Sequence, residues 1–155
     1  MSSKPCRLFL NLIFLLLSLS IGAQDLSVVS WNLKDFGQSR DADEIKMIAD
    51  QLKDADIVAI QEVVAKHPGG VQAVARLVDQ LNRTGAKWDY RYSDPTQSSS
   101  PYKSERYAFL WKTSKVSITS GGPYLVSELA PVVEREPYVA NFKYNGQTLT
   151  IVNYH

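Results

Sequence analysis

The chain has 155 residues and nearly balanced charge, with 17 Lys+Arg against 16 Asp+Glu. Hydrophobic content of 45% and charged content of 21% exclude wholesale disorder and collagen-like or low-complexity classes. Without a basic excess it is not a histone-like or arm-type nucleic-acid binder, and the length suits one domain.

Lys4 and Arg7 precede an apolar run from Leu8 to Leu19, broken by Asn11 and Ser18, and Ser20-Ile21-Gly22-Ala23 follows. A basic start, an apolar stretch and small residues at its end describe a secretory signal peptide over residues 1–23. A membrane anchor is the alternative, but the run falls short of the roughly 20 apolar residues that a span needs. Cleavage after Ala23 would release residues 24–155 to the periplasm or the extracellular space, with no stable membrane association. The one cysteine, Cys6, lies in this leader. Disulfides, cysteine zinc sites and cysteine nucleophiles are therefore excluded from residues 24–155.

Residues 26–33 are rich in β-branched side chains and predict a strand. Ile45, Ile48, Ala49 and Leu52 are spaced as one helical face and predict a helix over 41–54, with Asp41 and Glu44 as its capping signal. Residues 55–64 contain Ile57-Val58-Ala59-Ile60, a continuous apolar run of the kind that forms a buried strand. After His67-Pro68-Gly69-Gly70, a second helix runs to about Gly85 with Val71, Val74, Ala75, Val78 and Leu81 on its apolar face. Strands are expected over 88–93, 105–113, 116–120, 138–144 and 147–155, with a polar loop at 94–101. His67 has no evident partner and reads as a loop residue.

Charge is unevenly distributed. Residues 24–82 carry six basic against ten acidic side chains, and residues 83–115 carry seven against three. The latter also hold Trp88, Tyr90, Tyr92, Tyr102, Tyr107, Phe109 and Trp111. Basic residues interleaved with aromatics suit a polyanion surface. They equally suit strands with aromatic core faces and solvated lysines, and composition alone favours this second reading.

Three geometric expectations follow. Strand, helix, strand over 26–64 is a βαβ unit with parallel strands, so Asn32 and Glu62 emerge at the same sheet edge, where α/β proteins place ligand sites. Asn145-Gly146 between alternating strands is a hairpin signal that pairs Tyr144 with Gln147. Continued along both strands, this register sets His155 opposite Glu136 and makes it the last residue of the inward face.

Ser30-Trp31-Asn32-Leu33 ending the first strand and Asp56-Ile57-Val58-Ala59-Ile60-Gln61-Glu62-Val63 ending the second resemble the endonuclease/exonuclease/phosphatase superfamily. Tyr102-Lys103-Ser104-Glu105-Arg106-Tyr107-Ala108-Phe109 and Arg135-Glu136-Pro137 resemble its deoxyribonuclease I branch. Leu149-Thr150-Ile151-Val152-Asn153-Tyr154-His155 resembles the strand that ends in that family's first catalytic histidine. Together these matches run from about residue 26 to the last residue.

The resemblance implies an α/β (α+β) fold: half of a four-layer α/β/β/α sandwich, a mixed sheet with two helices on one face. It implies a metal site built on Glu62 with Asn32, for Mg²⁺, Mn²⁺ or Ca²⁺. It implies catalytic roles for His155 and for Glu105, which would fix the His155 tautomer. It assigns phosphate or nucleic-acid contacts to Arg135 and Tyr102, although Ser104 adds one residue to the branch pattern between Tyr102-Lys103 and Glu105. The implied reaction is divalent-metal-dependent hydrolysis of a phosphodiester, most directly as a DNA endonuclease without sequence specificity.

The family's Gly-Asp-x-Asn motif and its Ser-Asp-His-type ending are absent. Residues 24–155 are therefore expected to be the N-terminal part of such a domain, truncated after the first catalytic histidine and lacking its C-terminal half. A lone sheet would leave an apolar inner face uncovered, so an exposed apolar patch and an inactive fragment are expected. Two alternatives remain: a phosphodiesterase or phosphatase of the same superfamily acting on a phospholipid or other phosphoester, and a non-catalytic remnant.

Overall fold

The computed structural model describes residues 25–155, and the expected signal peptide lies outside them. The elements are β1 (Val28–Phe36), α1 (Ala42–Leu52), β2 (Ile57–Val64), α2 (Gly69–Asn82), β3 (Trp88–Tyr92), β4 (Glu105–Lys112), β5 (Ser117–Ile118), β6 (Tyr124–Leu125), β7 (Tyr138–Tyr144) and β8 (Gln147–Asn153). A 3₁₀ turn spans Ser127–Leu129. No helix of the described residues is long and apolar enough to cross a membrane.

Helix α1 starts where the sequence marks it. The Asp41 carboxylate accepts the Glu44 N–H at 2.8 Å and the Glu44 carboxylate accepts the Asp41 N–H at 3.1 Å, a reciprocal capping box. The expected face of Ile45, Ile48, Ala49 and Leu52 is buried. Helix α2 buries Val74, Val78 and Leu81 as expected, with its stripe shifted toward the preceding residues elsewhere. Its buried stripe is Gly70, Ala73, Val74, Leu77, Val78 and Leu81, while Val71 and Ala75 are only partly covered. The helix begins at Gly69, and its first turn lies directly on the end of β2. The His67 imidazole supports that start, its Nδ1 accepting the Gly69 N–H at 2.9 Å.

A Cβ on Gly70 would fall 2.1 Å from the Val64 carbonyl oxygen. Backbone cannot swing aside as a flexible side chain does, so Gly70→Ala must push α2 off the sheet. The expected cost is about 1–3 kcal/mol, read as a lower urea midpoint.

The first sheet has strand order β1-β2-β4-β3 and is mixed: β1 runs parallel to β2, and β4 pairs antiparallel with both β2 and β3. One face carries Val58, Ile60, Ala108 and Leu110 against the two helices. The other carries Ile57, Ala59, Tyr107, Phe109 and Trp111. The inner face was expected to lie bare, and it does not. A second sheet, with β7 at its centre and β5, β6 and β8 beside it, lays Tyr138, Ala140 and Phe142 onto it. Phe109 stacks on Tyr138 at 5.3 Å between centroids and meets Phe142 edge-on at 5.7 Å. Within the described residues the layers are therefore helices, sheet, sheet. The other face of the β7–β8 pair bears exposed Lys143, Thr148 and Thr150, so it is no continuous apolar patch.

This packing also resolves the aromatic segment. Trp88, Tyr107, Phe109 and Trp111 are buried, and of that group only Tyr92 and Tyr102 are largely exposed. The Asn145-Gly146 turn has positive φ at both residues, 47° and 76°, and sets the expected register from Tyr144 opposite Gln147 to Tyr138 opposite Asn153. Strands β6 and the shortened β5 have two residues each, too few for any periodicity to be legible.

Candidate active site

The strands do not end regularly at the edge where Asn32 and Glu62 emerge. Between β2 and β4 the register steps from Ile60 opposite Ala108 to Val63 opposite Arg106. Gln61 and Glu62 therefore both face Tyr107, which is a β-bulge. Glu62 takes φ 59° there, a left-handed conformation unusual for a residue with a side chain. The register of β1 against β2 also breaks, between Asn32 and Phe36, with Lys34 and Asp35 at φ 37° and 51°. Arg40 holds this segment, its Nη2 donating to the Leu33 and Lys34 carbonyls at 2.8 and 2.6 Å. Such local strain at a polar rim is characteristic of functional sites, where the rest of the fold over-determines it.

The two irregularities converge. Asn32 Nδ2 donates to Glu62 Oε1 at 2.8 Å, the Asp35 N–H donates to Oε2 at 3.2 Å, and the Asn32 oxygen accepts the Lys34 N–H at 2.8 Å. Chiefly the Asn32 hydrogen bond, with the Asp35 N–H and the positive field of His155 and Arg135, holds the Glu62 carboxyl below the usual glutamate range against partial burial.

His155 lies just past β8. Its Nδ1 is 2.9 Å from Glu105 Oε2, and its N–H donates to the Tyr107 hydroxyl at 3.3 Å. A carboxylate only accepts, so the Nδ1 proton belongs to this contact and Nε2 is turned to the rim. There Nε2 is 3.6 Å from Glu62 Oε1 and 3.4 Å from Asn32 Nδ2. Glu105 is 5% exposed and also meets Arg135, whose Nε is 3.3 Å from Oε2.

The register was expected to carry on and set His155 opposite Glu136. The ladder instead stops at Tyr138–Asn153. Pro137 has no N–H to continue it. Glu136 turns inward, 2% exposed, and accepts the Gln97 N–H at 2.7 Å.

All four residues assigned to metal and catalysis thus meet: Asn32, Glu62, Glu105 and His155. Arg135 joins them from behind Glu105, with its Nε directed to that carboxylate and, at 2.8 Å, to the Lys103 carbonyl. Tyr102 stands 89% exposed on the rim, its ring 3.4 Å from Lys66 Nζ. Lys66 is a rim residue that sequence reasoning missed. Its one signal was its place four residues beyond Glu62, in the loop leaving the same strand. Asp35, Glu62, Lys66, Tyr102, Lys103 and Arg135 line one cleft.

Glu62, Glu105 and His155 each bring a ligand atom within 4.8 Å of the others. Their donor chemistry fits a hard divalent cation through oxygen. Glu62 is kept ionised and half-exposed, whereas Glu105 is already committed to His155 and Arg135. Magnesium-like ions characteristically bind through one or two carboxylates and keep positions for water or phosphate.

The loop beside Tyr102 is tied separately. The hydroxyls of Ser98 and Ser99 donate to Glu134 Oε1 at 2.6 and 2.7 Å, and these bonds lower the Glu134 carboxyl to about 2. A depressed carboxyl stabilises the folded state above its ordinary value, and that contribution is lost as pH falls through the folded value. Carbon-detected NMR should find Glu134 titrating near 2, with a return toward the ordinary range in Ser98→Ala/Ser99→Ala. The group is solvent-exposed, so the effect on global stability should be small and screened by salt.

No family model matches the chain. A deoxyribonuclease of Thioalkalivibrio sp. is 35% identical over 130 residues, covering 82% of this chain and 33% of that protein. Human deoxyribonuclease-1 is 32% identical over 111 residues, covering 70% of this chain and 38% of that protein. The chain thus spans little more than a third of the length of these relatives. A solved endonuclease/exonuclease/phosphatase family protein from Leptotrichia buccalis superposes with a TM-score of 0.57 at 13% identity, over 84% of this chain and 55% of that one. Over the part that it spans, the chain has the endonuclease/exonuclease/phosphatase fold and is related in sequence to deoxyribonucleases.

Proposed function

We propose that this chain carries the cation- and phosphate-binding part of a divalent-metal-dependent phosphodiester hydrolase, a DNA endonuclease of the deoxyribonuclease I type. The observation that carries this reading is the convergence of an ionised Glu62 and the rim-facing Nε2 of His155, 3.6 Å apart. Glu62 would hold the cation, with Asn32 orienting the carboxylate. When bound, such an ion polarises a phosphoryl oxygen and offsets charge on the leaving oxygen. His155 Nε2 is placed to hydrogen-bond a phosphate oxygen or to give a proton to the departing one, while Glu105 fixes the ring. Lys66, Lys103 and Arg135 line the cleft beside an exposed Tyr102 and balance Asp35, Glu62 and Glu105, so a cation held by Glu62 would leave the cleft net positive toward a nucleic-acid backbone.

Among the described residues no further histidine or carboxylate is grouped within ligand distance of Glu62, Glu105 and His155. Together with the share of the relatives that the chain spans, this supports a longer catalytic domain in which other residues take the proton of an attacking water. The reading also takes residues 1–23 as an export signal, so that the product acts outside the cytoplasm.

The test is turnover of supercoiled plasmid by the complete gene product in Mg²⁺ or Mn²⁺, beside sphingomyelin as a competing phosphodiester. Chelator-sensitive plasmid nicking with no lipid turnover is expected. Lipid turnover without nicking would overturn the nuclease assignment. Robust nicking by residues 24–155 alone would overturn the need for a longer domain.

A further inference from the structure

A buried polar cluster lies outside the site described above. Asn153, 1% exposed, and Gln61, 6% exposed, meet in the core, Gln61 Nε2 donating to Asn153 Oδ1 at 2.5 Å. Gln61 Nε2 also donates to Ser30 Oγ at 3.1 Å. Asn153 Nδ2 donates to the Ile60 and Ala108 carbonyls at 3.0 and 3.2 Å. Two buried amides thus bind β1, β2, β4 and β8 at a single node.

The placement of that node along the strands is informative. Ser30 is two residues before Asn32, Gln61 is one before Glu62, Ala108 is three after Glu105, and Asn153 is two before His155. Every strand that delivers a residue to the rim is tied here, within three residues of it. The Ile60 and Ala108 carbonyls belong to the last regular pair before the bulge that turns Glu62 outward. Just beyond β8, the His155 backbone N–H also donates to the Tyr107 hydroxyl at 3.3 Å. Burying amides costs free energy unless their hydrogen-bonding groups are satisfied, and an apolar pair would fill the same space without that demand.

We infer that Gln61 and Asn153 are positioning residues: their amide bridge locks the second sheet to the first in the one register that sets His155 against Glu62, and holds the bulge that aims Glu62. The inference rests on the cation-binding reading of Glu62.

The experiment measures Mn²⁺ affinity, from the electron paramagnetic resonance of free Mn²⁺, beside the thermal midpoint of the purified protein. Variants are Asn153→Ala, Gln61→Met and, as a purely structural control, Val74→Ala, which trims a buried α2 side chain in the helix-side core. Gln61→Met keeps length and volume at 61 and leaves the two Asn153 carbonyl contacts in place, so it decides the question if Asn153→Ala does not fold. Supporting residues of a metal site change affinity about 10- to 100-fold. A loss of about that size is expected in Gln61→Met, with Val74→Ala less stable but unchanged in affinity. Affinity in folded Gln61→Met within twofold of wild type would overturn the inference. Glu62→Gln is run alongside. Unweakened Mn²⁺ binding there would instead overturn the cation reading, and this inference with it.

Discussion

In the complete gene product, Glu62→Gln should abolish cation binding and reduce plasmid nicking by about a thousandfold, because a Lewis-acid contribution of several kcal/mol, here taken as about 4, corresponds to about three decades in rate. The substitution keeps the side chain's length and one carbonyl oxygen, so the Asn32 contact can persist. What it removes is the negative charge for which the cation binds. Reading catalysis and Mn²⁺ affinity together is decisive: a variant that keeps its affinity and loses only rate would show that Glu62 does not hold the ion.

The backbone at Glu62 sharpens this test. Its φ of 59° is one that glycine adopts freely and that costs other residues about 1–2 kcal/mol. Glu62→Gly relieves that strain and gives up two hydrogen bonds at a partly solvated rim, each with a net worth of about 1 kcal/mol. The two effects roughly cancel, so Glu62→Gly should unfold within about 1 kcal/mol of wild type while binding no Mn²⁺. A residue kept in a costly conformation for its side chain alone is selected for what that side chain does. A large loss of stability in Glu62→Gly would make the residue structural instead.

The parallel β1–β2 pair, the two helices and the β7–β8 register were legible in the sequence because each rests on a local rule. These rules are helical spacing at Ile45 to Leu52, an apolar run at Ile57 to Ile60, and a two-residue turn at Asn145-Gly146. The shared edge of Asn32 and Glu62 followed from parallel pairing alone. Their contact did not, because it depends on the left-handed turn at Lys34 and Asp35 and on the bulge at Glu62, which no periodicity encodes. The position of His155 was half legible. Alternation along β8 correctly put 149, 151 and 153 on the inward face, but the ladder was carried two residues too far, past a proline that cannot extend it. The apolar stripe of α2 was legible at Val74, Val78 and Leu81, but Ala73 and Leu77 replace Val71 and Ala75 because the helix already begins at Gly69 and buries Gly70. Its lack of a side chain is what lets the helix rest on Val64. The second sheet's cover over Tyr107 and Phe109 was not legible because strand patterns do not say which sheet a strand joins, and the inward residues of β7, Tyr138, Ala140 and Phe142, form the opposing face of the core.

Glu105 and His155 should behave as one unit. General acid–base and phosphate-contact roles of a histidine are worth about 10²- to 10⁴-fold, so His155→Ala in the complete gene product should lower nicking by that order. Glu105→Gln should lower it less, because an amide at 105 can still accept from Nδ1 but no longer carries charge. If Glu105 acts only through the ring, the double variant should be no slower than His155→Ala alone. Stability separates the two positions in the opposite sense. His155 has a 35% exposed side chain at the rim, and its removal should cost little. Glu105 is buried against the guanidinium of Arg135, whose side chain is 19% exposed, and losing its charge strips that cation of its counterion. Glu105→Gln should therefore unfold about 1–3 kcal/mol more easily than wild type. Arg135→Met added to it should recover part of that loss by removing the stranded charge. Rate losses that multiply in the Glu105→Gln/His155→Ala double variant would show instead that Glu105 acts on the substrate or the cation directly and not through the ring.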